Sequence, residues 1–375
     1  MGHTMEFDNI YGITNWKLFT RPRGHVMELN NVSKTTAHGT FGVLGLGVPP
    51  FFADGMNEKG LTLATQSLYR SEYQECNPFS KEYQTIYTVQ VPQWILTHFA
   101  TVADVVNAIQ SGKYCIANPM DTLVRRGNIH WAIADKDGNS IVLEYERGEP
   151  KVYNNHVGVM TNDPFYPWHV DNLNTYRWIL PEEGNNKVLR MSTGNLLAGQ
   201  KEVPYDLGHG FNTGGLPGDP SPPSRFVRAF FTRQVSQANA RPKQELNDWL
   251  TLAQGILNSV FITKGWTGPN PAGHIWESDH TAWGTLRFPQ TGFYAFRTYA
   301  NMQWQVVDTT KLDWMEGVVL ATSTSIADSF NDITVHLNLA GGSSSKASLR
   351  QRYSGVSKHP QVEDTVLLQS PSQEL

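Results

Sequence analysis

The sequence predicts an α+β fold in which antiparallel sheets are flanked by helices. Apolar, β-branched runs are joined by short turn signals, as in local hairpins. Their order is strands, then helices, then strands, without the alternating βαβ units of a doubly wound nucleotide fold. Composition agrees: 39% AVILMFWYC, with 11 Trp, 14 Tyr and 17 Phe, stands beside only 17% charged residues. Ordinary globular chains carry ~25% charge, so these 375 residues fit a thick core and exclude wholesale disorder.

In chain order, 41–47 and 60–69 read as strands, with Asp54-Gly55 and Lys59-Gly60 as turn signals between them. Residues 91–100 and 102–109 read as short helices, the second behind Thr101 as N-cap. Residues 129–135 and 141–145, joined by Lys136-Asp137-Gly138-Asn139, form a hairpin that 151–153 and 157–160 continue as a meander. Residues 164–179 place Trp168, Leu173 and Tyr176 at roughly helical spacing, with Leu180 just beyond. The stretch 224–237 is apolar on more than one face, as a buried helix is, and 245–260 is amphipathic. The runs 281–288, 292–299 and 304–307 form a last antiparallel set. From Ala340 a Gly-Gly-Ser-Ser-Ser stretch opens a polar region, so the folded domain is expected over 1–339 and a disordered tail over 340–375.

A net charge of −4 lacks the footprint of a nucleic-acid binder. The apolar run 41–53 is shorter than the ~20 residues of a membrane span, and the first eight residues show no basic-then-apolar export signal. Two cysteines, Cys76 and Cys115, exclude a disulfide framework and a Cys-rich zinc site; one pairing between them stays open without sequence support. His274, Glu277, Asp279 and His280 match no metal-site spacing and read as a polar loop, so neither metal nor cofactor is expected.

Three segments place polar groups at element boundaries. In Thr161-Asn162-Asp163-Pro164, Pro164 suits a first helical turn and Asn162 or Asp163 a cap. The alternative for Asn162 is an amide donor to a developing oxyanion. In the segment 215–226 (GLPGDPSPPSRF), Ser224 is placed as N-cap and Arg225 in the first turn. A cation there opposes the helix dipole. Arg225 is therefore either a plain surface residue or one with a specific anionic partner. The third segment, 53–61 (ADGMNEKGL), is by composition a polar turn.

With the opening Gly2-His3-Thr4-Met5-Glu6-Phe7, these segments resemble the choloylglycine hydrolase and penicillin V acylase family of N-terminal-nucleophile hydrolases. That family carries a "GRTM(D/E)F" strand, an "ADGMNEKGL" turn, a "TN-P" segment followed by "WH" and "NLN", and a "GLPGD" loop leading to "SRF". Four motifs fall in register here over roughly 1–310. The resemblance implies a four-layer αββα sandwich and hydrolysis of a linear amide through an acyl-enzyme. It places the oxyanion amide at Asn162, the active-site arginine at Arg225, and at Glu6 the carboxylate that orients the nucleophile's amine. It puts the second oxyanion residue at Ser67, or at Gln66 or Tyr69 if the register slips. Phe51, Phe52, Tyr69 and Trp131 are candidates to line an acyl pocket, with core or edge packing the plainer reading for each.

The sequence departs from the pattern twice. His3 stands where the family has arginine, and histidine is largely uncharged at neutral pH unless a carboxylate raises its pKa. The family's strand and turn, beginning with the nucleophilic cysteine, would precede Met1, and neither Cys76 nor Cys115 offers a free α-amine. The expectation is a hydrolase lacking its first strand and nucleophile, or a non-catalytic relative that still binds acyl amides. Loss of that strand would expose an unpaired edge, giving poor stability or self-association, homo-oligomers included. Bile salts, penicillin V and acyl-homoserine lactones are all acyl amides, and the motifs do not choose among them.

Overall fold

The computed structural model describes residues 1–7, 16–118, 128–180, 188–192, 202–206, 210–239, 245–268, 279–317 and 319–320. The expected tail, 340–375, and two members of the polar loop, His274 and Glu277, lie outside them. The strands are β1 (Gly2–Phe7), β2 (Lys17–Arg21), β3 (Val26–Glu28), β4 (Thr36–His38), β5 (Val43–Val48), β6 (Phe51–Asn57), β7 (Thr62–Ser67), β8 (Gln84–Tyr87) and β9 (Tyr114–Ala117). There follow β10 (Ile129–Ala134), β11 (Ser140–Glu146), β12 (Glu149–Asn154), β13 (Val188–Ser192), β14 (Glu202–Asp206), β15 (His280–Phe288), β16 (Phe293–Thr298), β17 (Gln305–Asp308) and β18 (Val319–Leu320). The helices are α1 (Val91–His98), α2 (Val102–Gln110), α3 (Tyr166–Asn172), α4 (Pro222–Asn239) and α5 (Leu246–Asn258).

Two antiparallel sheets form the middle of the molecule: an eight-stranded one ordered β12-β11-β10-β7-β6-β5-β2-β18 and a four-stranded one ordered β1-β15-β16-β17. Period-2 alternation divides the labour of each strand. On β7 and β10, Leu63, Trp131 and Ile133 pack under α1 and α2, in a core with Trp94, Ile95 and Val105. On β15 and β16, Trp283, Tyr294 and Phe296 meet Leu44, Leu46 and Met56 of the larger sheet. Leu286 and Ala295 point the other way, onto Leu257 of α5. Helix, sheet, sheet, helix is the four-layer αββα arrangement. Among the described residues, no helix is long and apolar enough to cross a membrane.

Several expectations hold in detail. Thr101 caps α2 in a reciprocal capping box with Asp104. The 136–139 turn joins β10 to β11, and β15, β16 and β17 fall where the apolar runs place them. Lys59-Gly60 is a true turn: Gly60 has φ +86°, and Asn57 Oδ1 accepts from Lys59 N and Leu61 N, both at 3.0 Å.

Others are corrected. Asp54-Gly55 is no turn but the interior of β6. Gly55 is there for close packing, since a Cβ would stand 2.7 Å from Leu96 Cδ1 of α1. Residues 157–160 form no strand, because Gly158 turns through φ +67°. The helix expected over 164–179 is α3 followed by a 3-10 turn, Leu173–Tyr176. Its N-cap position is Phe165, so neither Asn162 nor Asp163 caps it; Asp163 instead accepts from Tyr69 N at 2.8 Å and Arg70 N at 3.2 Å. Helix α4 starts at Pro222, which puts Ser224 inside the first turn, its hydroxyl on Asp219 at 2.6 Å, rather than at the cap.

Cys76 and Cys115 are bridged, closing a loop with a sequence separation of 39. Cys115 lies in β9, which pairs in parallel with β8, a contact that spacing alone did not suggest. In the chain-entropy account a loop of this size stabilises by about 4 kcal/mol. The native protein should yield no titratable thiol, and replacing both cysteines with alanine should lower the urea midpoint. Two reactive thiols in the native protein would contradict the pairing.

Candidate active site

A β-bulge between Met5 and Glu6 breaks the β1–β15 ladder and re-aims the Glu6 side chain. Its Oε1 accepts from Thr281 Oγ1 at 3.0 Å, and its Oε2 lies 3.2 Å from Arg225 Nη1. Arg225 is 7% exposed and fully engaged, donating Nε to Pro220 O at 2.9 Å and Nη2 to Asn162 Oδ1 at 2.7 Å. The cation in the first turn of α4 thus has an anionic partner in Glu6.

Asn162 is held on three sides. Besides Arg225, its Nδ2 donates to Ser67 O at 2.9 Å, and its own backbone carbonyl accepts from His169 Nε2 at 3.0 Å. An amide nitrogen carries two hydrogens, so one stays uncommitted once Ser67 has taken the other. His169 stacks on Phe226, centroids 4.9 Å apart. The turn after Asn162 is fastened by Glu144, which accepts from Tyr166 N at 3.0 Å and from His130 Nδ1 at 2.8 Å. Segments distant in sequence meet here: β1, the end of β7, 158–166, the start of α4, and β15.

Arg225 and Thr161 line a cavity of about 480 Å³ between the two sheets and helices α4 and α5. Its inner wall carries Ala64 and Gln66 from β7, with Ala132 and Ala134 from β10. Its α5 side carries Trp249, Leu252, Ala253 and Ile256, a helical stripe. The register decides which candidates reach it. Gln66 does, with its Oε1 buried and unpartnered among the described residues. Ser67, one residue on, presents its side chain to the opposite face and contributes its carbonyl to Asn162 instead.

All four acyl-pocket candidates are displaced. Trp131 is 0% exposed in the core beneath α1 and α2, because its strand neighbours Ala132 and His130 take the other face. Tyr69 is 54% exposed and lies away from the cavity, beside Arg70 and Phe165. Phe52 is likewise core, stacked on Phe19 at 4.2 Å, and Phe51 is a surface edge residue.

His3 and Arg287 line the cavity floor around Asp54. Asp54 is 0% exposed and accepts from His3 Nδ1 at 2.9 Å, Thr285 Oγ1 at 2.8 Å and Tyr294 OH at 2.7 Å, besides its ion pair with Arg287. Burial pushes the Asp54 carboxyl up, but Arg287, His3 and Tyr294 together hold it below the usual carboxylate range. Asp54 and Arg287 carry no family-independent signal in the sequence, since each is defined by its partner 233 positions away on the facing sheet. Among the described residues no cluster of His, Cys, Asp and Glu could hold a metal ion.

Desolvation lowers the pKa of His169, and likewise of His25 and His98. The unfolded chain then binds protons first, near ~6.5, so the native state loses stability as pH falls below that value. Burial also lowers the Met1 α-amine from its usual value to about 5, so urea midpoints should decline from about pH 8 downward and more steeply below about 6.5, where the imidazoles add to the loss. A midpoint that rises on acidification through this window would contradict the buried neutral imidazoles.

Comparison with known proteins places this geometry. The profile of the linear amide C–N hydrolases, choloylglycine hydrolase family, matches residues 1–320. A bile salt hydrolase/transferase of Clostridium perfringens is 31% identical over 289 residues, 76% of this chain and 81% of the relative. A solved mutant of the conjugated bile acid hydrolase from Clostridium perfringens superposes with TM-score 0.72 at 27% identity, over 88% of this chain and 95% of that one. Penicillin V acylase from Agrobacterium tumefaciens, at 19% identity, shares the fold with TM-score 0.65, over 85% of this chain and 86% of that one.

Proposed function

The chain belongs to the choloylglycine hydrolase family of linear amide C–N hydrolases, and on that premise we propose that its inter-sheet cavity binds an acyl amide whose carbonyl is polarised by Asn162. The observation that carries the reading is the Asn162 amide, set beside the cavity-lining Thr161 and Arg225, with its oxygen held by Arg225, one hydrogen by Ser67 O and the second hydrogen uncommitted. As a thiolate adds to the carbonyl carbon, charge moves onto that oxygen, and a donor already in place is worth most at this moment. Collapse of the adduct expels the amine, which takes up a proton, and water cleaves the resulting thioester. Arg225 acts through Asn162 as a positioning residue, and Glu6 holds Arg225.

Both cysteine sulfurs of residues 1–375 are committed to one disulfide, so the attacking thiolate of this scheme is neither Cys76 nor Cys115. That observation favours a second reading beside the first, in which these residues bind acyl amides without turning them over. The relatives' names point to conjugated bile salts as the first substrates to try and to penicillin V as the next; acyl-homoserine lactones are a third acyl amide to offer. The test is to offer residues 1–375 a glycine-conjugated bile salt, following binding by calorimetry and amine release by ninhydrin. Binding without release is expected, with release once a cysteine-initiated strand is joined ahead of Met1. Release by residues 1–375 alone would overturn the thiolate assignment, and absence of binding would overturn the acyl-amide reading.

A further inference from the structure

Helix α4 borders the cavity along one stripe, Arg225, Ala229, Arg233 and Gln237, spaced four residues apart. The stripe runs outward: Arg225 is buried, Arg233 half-buried and Gln237 exposed. At 1.5 Å per residue, Arg233 sits about 12 Å along the axis from Arg225, toward the mouth. Where Arg225 has Glu6, Arg233 has no acidic partner among the described residues; its hydrogen bond goes from Nη1 to Val157 O at 2.9 Å.

The position of Arg233 is nonetheless built. Its guanidinium lies against the backbone of Gly158, where a Cβ would stand 2.7 Å from Nη1 and 2.8 Å from Cζ. Gly158 also has φ +67°, a conformation that glycine adopts without strain. The surroundings on α5, Trp249 and Leu252, are apolar, and the lining carboxylate, Asp135, is consumed by its own turn, accepting from Asp137 N and Asn139 N at 3.0 and 3.1 Å. A fixed cation with no acidic partner among the described residues, beside the apolar α5 wall of the cavity, matches a ligand with an anionic group.

We propose that Arg233 is a specificity-determining residue that selects acyl amides bearing a carboxylate or sulfonate within about 12 Å of the scissile carbonyl. The inference rests on the acyl-amide reading above and narrows it, favouring anionic substrates such as conjugated bile salts or penicillin V over neutral acyl-homoserine lactones. The anion can lie on the amine side or at the far end of the acyl chain.

Calorimetric binding to residues 1–375 separates these cases with N-decanoylglycine, its neutral isostere N-decanoylglycinamide, and the mono-glycinamide of decanedioic acid. One of the two anionic probes should bind about tenfold or more tightly than the neutral one, and which one locates the anion. Arg233→Gln should remove that preference while leaving the neutral probe within about twofold, and Arg233→Lys should retain part of it. The wild-type preference should also shrink as salt is raised toward ~1 M, a readout that needs no variant. A wild-type ratio near one, or equal weakening of charged and neutral probes by Arg233→Gln, would overturn the role of Arg233 alone. Failure of all three probes to bind would overturn the acyl-amide reading with it.

Discussion

Replacing Asn162 with alanine in the cysteine-bearing enzyme is expected to lower kcat for amide hydrolysis by about 10²–10³-fold while moving KM by no more than about threefold. The asymmetry follows from the geometry. Oxygen of the Asn162 amide is spent on Arg225 and one hydrogen on Ser67, so the remaining donor meets a ground-state carbonyl weakly and an oxyanion strongly. The fault is also local, since the backbone at 162 is held by His169 and the following turn by Glu144, neither of which needs the amide. Equal losses in binding and kcat would instead mark Asn162 as a structural clamp.

The second large effect is on stability. Asp54 and Arg287 are both 0% exposed and bridge the two sheets. Asp54→Asn leaves the Arg287 charge in the interior without its counter-ion, and breaking such a pair from one side costs about 3–5 kcal/mol. The pair replaced together, Asp54→Leu with Arg287→Met, should recover only the part of that loss due to the orphaned charge, since His3, Thr285 and Tyr294 still lose their acceptor. Urea unfolding of the single and double variants reads the difference, and a single variant at the wild-type midpoint would refute the coupling. With the native Asp54 pKa below its unfolded value of ~3.9, its stabilisation is complete above that pH and disappears as pH falls through the native value.

Local chemistry in the sequence carried the turns and caps well. Lys59-Gly60, the 136–139 hairpin and the Thr101 cap are each decided within four residues, by backbone freedom or a side-chain oxygen. The adverse placement of Arg225 near a helix start left a surface residue and a partnered one as alternatives, and the structure pairs it with Glu6. What failed was decided at a distance. Asp54-Gly55 has a turn's composition, yet Arg287 and Leu96, far away in sequence, hold it in a strand. Ser67 and Trp131 were each one residue from the cavity-lining position, an error that only strand register exposes. The cysteine pair, too, depends on the β8–β9 contact, which leaves no local mark. The cavity cation Arg233 is visible in sequence as one arginine among many; its lack of an acidic partner among the described residues and its close approach to Gly158 exist only in three dimensions.

The central claim, that Asn162 polarises the acyl carbonyl, is open to a measurement that requires no turnover. Isotope-edited infrared spectroscopy of an acyl amide labelled with ¹³C at the carbonyl, bound to residues 1–375, reports the strength of hydrogen bonding to that oxygen. The bound carbonyl band should move to lower frequency than in water, and Asn162→Ala should return it toward the free value with the ligand still bound. An unshifted band in the wild type, or the same shift in the variant, would contradict the assignment.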